Sequence, residues 1–218
     1  MRHFFEELES LRSQLTEMAE LVKASVHKGV SCLTERNADF ADQVMRNEAL
    51  INRAEIAIDE LAVRLVTLHQ PVASDMRLLI AALKINTDLE RMGDLATNVA
   101  RRSLALIQGP PLDPPVPIPA LSALVESMVD CSIAAFTAND ADAAKKVLQA
   151  DDQVDELRNQ IYTDLSARME SQPGLVRRGF EYVFIARSLE RIADHATNIA
   201  EDVIFLVNGT DVRHRGEV

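Results

Sequence analysis

Apolar residues recur along this chain at three- and four-residue intervals, in blocks that end at turn-forming residues or proline. The first block runs from Phe4 to about Glu35 through Leu8, Leu11, Leu15, Met18, Leu21, Val22, Val26, Val30 and Leu33. That is the spacing of one helical face. Asn37 to Asp39 break it with side chains suited to turns and N-caps. A second helix is predicted through Val44, Met45, Leu50, Ile51, Ile56, Ile58, Leu61, Leu65 and Leu68. It stops at His69-Gln70-Pro71, because proline disfavours helical geometry in the residue before it. A third, capped by Ser74 or Asp75, reaches about Leu106.

Six of the eight prolines then fall between Pro110 and Pro119, and the other two, Pro71 and Pro173, lie at matching helix junctions. Segment 108–119 therefore reads as an extended, stiff connector of the polyproline type. Beyond it the pattern returns. A fourth helix is predicted from about Ala120 to Thr137, a turn at Asn139-Asp140, and a fifth helix from Ala143 to about Glu170. A junction at Gln172-Pro173-Gly174 leads to a sixth helix, Leu175 to Val207, which Gly209 ends. The expected fold is all-α: two pseudo-symmetric antiparallel three-helix bundles in tandem. They occupy 1–107 and 120–208, with a flexible tail over 209–218.

An internal repeat supports the two halves. Leu89 to Ala100 reads LERMGDLATNVA, and one hundred residues later Leu189 to Ala200 reads LERIADHATNIA, with eight of twelve positions identical. On a helix advancing about 100° per residue, Glu90, Asp94 and Asn98 sit at roughly 0°, 40° and 80°, on one stripe. Leu89, Met92, Ala96 and Val99 fall on the opposite, core-facing side. Glu190, Asp194 and Asn198 repeat the stripe, and Glu201 joins it. With an offset of 103, Glu48 aligns with Asp151 and Asn52 with Asp155, so the second and fifth helices carry a polar i, i+4 pair too.

Like charges at i, i+4 repel by a few tenths of a kcal/mol. A chain that accepts this twice at matched places is suited to holding a cation there. The same spacing also describes a solvated acidic face, with Arg91 and Arg191 as neutralising partners. His195 lies about 140° from Glu190 around the helix, which suits packing or hydrogen bonding more than ligation. Gly93 and Ala193 suit close helix approach.

Composition narrows the function. A net charge of −11 over 218 residues argues against nucleic-acid binding, which draws its affinity from Lys and Arg on phosphates. No run of about 18 uninterrupted apolar residues suggests a membrane span, and the acidic start MRHFFEELES lacks a signal peptide's apolar core. Cys32 and Cys131 form no CxxC and read as small hydrophobes in a reducing cytoplasm.

The two halves, the QP junctions and the LERxxDxATNxA repeat closely resemble the PhoU family of bacterial phosphate-uptake and phosphate-signalling regulators. The resemblance implies metal binding through E(D)xxxD motifs, with iron, zinc, manganese or magnesium as candidates. By matching position the metal residues are Glu90, Asp94, Glu190, Asp194, Asp151, Asp155 and Glu48, with Asn98, Asn198 and Glu201 as further donors. Asn52 stands where the second half has Asp155, and Arg101 where it has Glu201. A hard-cation site loses strength when an anionic ligand is removed and a cation added. The second site is therefore expected to be the stronger.

The resemblance further implies a cytoplasmic, non-enzymatic adaptor between the phosphate ABC-transporter ATPase and a sensor histidine kinase. It would repress phosphate-starvation genes when phosphate is plentiful, and the family suggests a homodimer. Two other readings compete. A di-iron carboxylate enzyme also uses helical bundles, but its usual Glu-x-x-His does not occur in this sequence. No Gly-rich phosphate loop or Ser/His/Asp set occurs either, and no catalytic residue is assigned. A structural interaction protein with unoccupied acidic stripes is the third.

Overall fold

The structure is a computed structural model that describes residues 2–209. The side chains of Arg2 and Ser74, the latter one of the two expected caps, lie outside the described residues, as does the tail from 210 onward. Among the described residues there are six long α-helices and no strand. They are α1 (Arg2–Thr34), α2 (Asp39–His69), α3 (Ala73–Ile107), α4 (Ile118–Ala138), α5 (Ala141–Ser171) and α6 (Val176–Asn208). A single 3-10 turn, Pro173–Leu175, leads into α6.

Local chemistry sets most of the boundaries. Asp140 caps α5 by accepting from the backbone N–H of Asp142 and of Ala143. Asn139 before it (φ 51°) and Gly209 after α6 (φ 68°) take left-handed backbone, where asparagine and glycine are least strained. Several boundaries differ from expectation by a residue or two. α3 opens at Ala73 with extended Val72 in the cap position and Asp75 in its first turn. α4 starts at Ile118, with Pro119 in the first turn, where a missing N–H removes no helical bond.

The proline-rich connector is tied down rather than free. Arg36 donates to the carbonyls of Ile107 and Gly109 at 2.6 and 2.7 Å. Arg168 and Arg178 donate to those of Pro114 and Pro110. Leu112 and Val116 are buried.

The two bundles share one apolar core. α3 packs against α6 more extensively than any other pair of helices, and one continuous apolar core runs through both halves. α2, α3, α6 and α5 adjoin in that order, while α1 lies over α2 and α3, and α4 over α5 and α6. One side of the four-helix layer is thus covered and the other is open. Ion pairs close both ends of the antiparallel α3–α6 seam. Lys84 meets Asp202 at 2.7 Å, and Arg102 meets Glu181 at 2.9 Å while stacking on Phe184 at 4.1 Å. α4 has the length and mean hydropathy, 1.4, of a membrane span, but Glu126 and Asp130 interrupt it and half of that stretch is buried in the fold, as in a core helix.

Candidate metal centres on the open face

Leu89, Met92, Ala96 and Val99 are fully buried, as are Leu189, Ile192, Ala196 and Ile199. This turns the opposite stripes, Glu90/Asp94 and Glu190/Asp194, toward the open side. Both glutamates are half-buried and both aspartates exposed. The flanking helices then decide what faces them.

In the second half α5 brings Asp151 and Asp155 against Glu190 and Asp194. Burial pushes the Asp151 carboxyl up to about 6, helped by the negative charges of Asp194, Asp155, Asp152 and Glu190. Glu190 and Asp194 are also raised, first by burial and then by acidic neighbours. Arg158 stands among them, 2.6 Å from Asp155 and 3.5 Å from Glu190. Its hydrogen bond to Asp155 raises its own pKa.

In the first half the acid that α2 sets beside Glu90 is Glu55. Glu90 is raised by burial, then by the charges of Asp94 and Glu55. One turn further on, the buried Asn86 of α3 donates from Nδ2 to Asp59 Oδ1 at 2.9 Å and to the Glu55 carbonyl at 3.0 Å. The other amide atom, Asn86 Oδ1, is buried without a hydrogen-bond partner, an acceptor that calls for a donor or a cation. Glu48 stands seven residues before Glu55, about 10 Å along the helix.

The further donors part company. Asn198 turns from the α5 side to the α3–α6 seam, where its Nδ2 lies 3.4 Å from Asp88 Oδ1. Glu201 lines the same cleft, and Asn98 is exposed. His195 fills the packing role expected of it, bonding through Nδ1 to Asp88 Oδ1 at 2.8 Å with both side chains buried.

Sequence reading missed Glu55, Asp59, Asn86 and Arg158. The signal for the first two was present, because Glu55xxxAsp59 is itself an acidic i, i+4 pair. Among the described residues no three His, Cys, Asp or Glu side chains are placed closely enough to hold a metal ion as they stand. The donor sets nevertheless fit a hard cation. They are oxygen-only, partly desolvated and mutually repulsive, and the first includes a buried unpaired amide oxygen.

The profile of the PhoU domain matches this chain twice, over residues 15–103 and 118–203. The chain belongs to the PhoU family. Its duplicated halves are two PhoU domains, and the acidic stripes fall at equivalent places in them. A phosphate-specific transport system accessory protein PhoU homolog from Aquifex aeolicus is 39% identical over 211 residues, covering 97% of this chain and 96% of the relative. A PhoU homolog of the same description from Pseudomonas aeruginosa is 41% identical over 216 residues, covering 99% and 89%. The crystal structure of PhoU from Pseudomonas aeruginosa superposes with a TM-score of 0.91 at 40% identity, covering 95% of this chain and 100% of that one. The PhoU regulatory protein of the phosphate transport system from Streptococcus pneumoniae gives 0.86 at 28% identity, covering 96% and 99%.

Proposed function

We propose that this PhoU-family protein regulates phosphate transport by binding rather than catalysis, holding divalent cations in two oxygen-rich grooves on its open face. Asp151, Asp155, Glu190 and Asp194 would hold one, and Glu55, Asp59, Glu90 and Asp94 the other. The observation that carries the reading is the convergence of carboxylates from neighbouring helices at matched places in both halves. Oxygen donors without nitrogen or sulfur favour magnesium, manganese or iron(II) over zinc. A bound cation would supply positive charge and change how the open face meets a partner surface. The rest of the proposal follows the relatives' description as transport accessory proteins. It is a cytoplasmic adaptor, homodimeric in solution, that joins the phosphate ABC-transporter ATPase to the sensor histidine kinase and represses starvation genes in high phosphate.

Metal analysis of untagged protein tests the sites. Glu90→Gln/Asp94→Asn and Glu190→Gln/Asp194→Asn should each empty one groove and spare the other. Glu55→Gln should weaken manganese binding by about 10–100-fold, whereas Glu48→Gln should leave it unchanged. Equal effects of the last two would move the first site up α2 and overturn the assignment. Pull-down of the ATPase and the kinase, with and without manganese, tests the adaptor role. Normal repression in a deletion strain grown in high phosphate would end it.

A further inference from the structure

Two aromatic rings stand together in water on the open face, where α6 begins and α3 ends. Phe180 is 49% and Phe184 39% exposed, and their ring centroids lie 6.3 Å apart. The helical register puts them there. Phe180 and Arg187 lie about 80° and 60° from Glu190 around α6, opposite the buried Leu189, Ile192, Ala196 and Ile199. Val176, one turn before Phe180, is 39% exposed and lengthens the apolar strip. Apolar side chains left in water at helical spacing are surface that a partner gains by covering.

The charges that frame the rings are positive. Arg102 stacks on Phe184 at 4.1 Å and bonds Glu181 at 2.9 Å. Arg187 follows Phe184 by three residues and Arg101 adjoins Arg102, and both are exposed. Among the described residues neither has an ion-pair partner within 4 Å, and Arg187 acts on Glu190 only at longer range. The matched crossing at the other end of the seam differs in kind. By the hundred-residue offset, Ile80, Lys84 and Thr87 stand for Phe180, Phe184 and Arg187, and Glu201 and Asp202 for Arg101 and Arg102. Its cation, Lys84, is bonded to Asp202 at 2.7 Å. One crossing is thus internally neutralised, and the other offers stacked rings beside guanidinium groups that lack carboxylates.

We propose that Phe180 and Phe184, framed by Arg101, Arg102 and Arg187, are a docking surface for an acidic segment of a partner protein. The inference rests on the adaptor reading and deepens it by giving the adaptor a contact face. Apolar side chains of the segment cover the two rings, and its carboxylates meet Arg101 and Arg187, which sets the register. A partner helix matches Phe180 and Phe184 with anchors at three- or four-residue spacing. An anionic membrane is the poorer occupant. The ridges Glu90/Asp94 and Glu190/Asp194 lie on the same face and the chain carries a net charge of −11, so a sheet of negative charge meets repulsion. A protein segment can set single carboxylates on the arginines and stay clear of the ridges.

Binding kinetics of the purified transporter ATPase and of the kinase on the immobilised full-length chain test the surface. Phe180→Ser should weaken binding of one of them by about 30-fold, the loss typical of an interface hot spot. Arg101→Glu/Arg187→Thr, which imports the residues of the matched crossing, should slow association by about tenfold and flatten its salt dependence. Ile80→Ser, at the place matching Phe180, should leave binding unchanged. All these positions are exposed, and the melting temperature should not move. A partner that binds every variant as it binds the unaltered chain overturns the docking surface and leaves the adaptor reading standing. Failure of both proteins to bind the unaltered chain ends the two together. Adsorption to phosphatidylglycerol vesicles that Phe180→Ser abolishes, with protein binding intact, assigns the face to lipid and overturns the proposal.

Discussion

The first half sets Glu55 beside Glu90 and ties Asp59 to Asn86. The second gathers Asp151 and Asp155 with Glu190 and Asp194, then places Arg158 among them. The central helices α3 and α6 carry nearly the same ridge, so the contrast comes from their neighbours. One groove balances its acids with an amide and the other with a guanidinium. The α3–α6 seam differs likewise. Asp88 bonds His195 across it at 2.8 Å, whereas the positions matched by the hundred-residue offset hold Ser188 and Leu95. Ser188 bonds back to the Phe184 carbonyl on its own helix, so one arm of the pseudo-symmetry is polar across the seam and the other is self-satisfied.

That contrast gives the largest expected effect. His195→Leu imports the other half's residue but leaves the buried Asp88 with only the 3.4 Å contact from Asn198, which should cost about 3–5 kcal/mol. Adding Asp88→Ser completes the exchange and should recover most of the loss. Urea denaturation at pH 7 measures both. A double variant as unstable as the single would show that the two crossings are not interchangeable.

An effect of intermediate size separates the grooves by pH. Folding raises the Asp151 pKa from 3.8 to about 6, so the folded chain holds this proton more tightly than the unfolded one. The resulting stabilisation is full below about pH 4 and is lost as pH rises through 6. Asp151→Asn should therefore stabilise the metal-free protein at pH 7.5 by about 1–2 kcal/mol, after allowing for partial exposure. At pH 3.5 it should change little. Arg158→Ala should act in the opposite sense at pH 7.5, because it removes the positive charge nearest Asp155 and Glu190. Thermal melts across that range decide it; a stabilisation by Asp151→Asn that is constant with pH would refute the electrostatic account.

The fold was readable because it is built of long helices, which periodicity and punctuation reveal. Helical spacing placed all six helices, and proline, asparagine or glycine marked where each stopped. The central ridges were readable for the same reason, since Leu89, Met92, Ala96 and Val99 fix which way Glu90 and Asp94 point. The partner helices were not. A core stripe repeats every seven residues, so two alignments of α2 with α5 satisfy it. An offset of 103 pairs Ile51 with Val154 and Ile58 with Ile161, while 96 pairs Ile51 with Val147, Ile58 with Val154 and Leu65 with Ile161. All these residues are buried. The first offset highlights Glu48 and Asn52, the second Glu55 and Asp59. The packing of α2 on α3 sets Glu55 beside Glu90 and Asp59 on Asn86. The seam contacts of Asn198 and His195 were hidden for a related reason, because a helical wheel shows direction but not which helix stands there.

The smallest effect tests how far the two halves can be exchanged in their cores. A Cβ on Gly93 would stand 3.0 Å from Ile51 Cδ1 and 3.2 Å from its Cγ2, so glycine here admits close approach of α2. Ala193 holds the matching place, and under either alignment the α5 counterpart of Ile51 is a valine, Val147 or Val154. The second half thus accommodates one extra methyl on the central helix with one fewer on its neighbour. Glycine is about 1 kcal/mol worse than alanine inside a helix, and Ile→Val in a core costs about 0.5–1.5 kcal/mol. Gly93→Ala alone should be nearly neutral, its helical gain offset by displacement of the buried Ile51. In an Ile51→Val background the same change has room, and it should raise stability by about 1 kcal/mol relative to Ile51→Val alone. A double-mutant cycle by urea denaturation reads the coupling directly. Strict additivity would mean that Ile51 yields without cost, and that the two halves tolerate their different residues at this contact equally well.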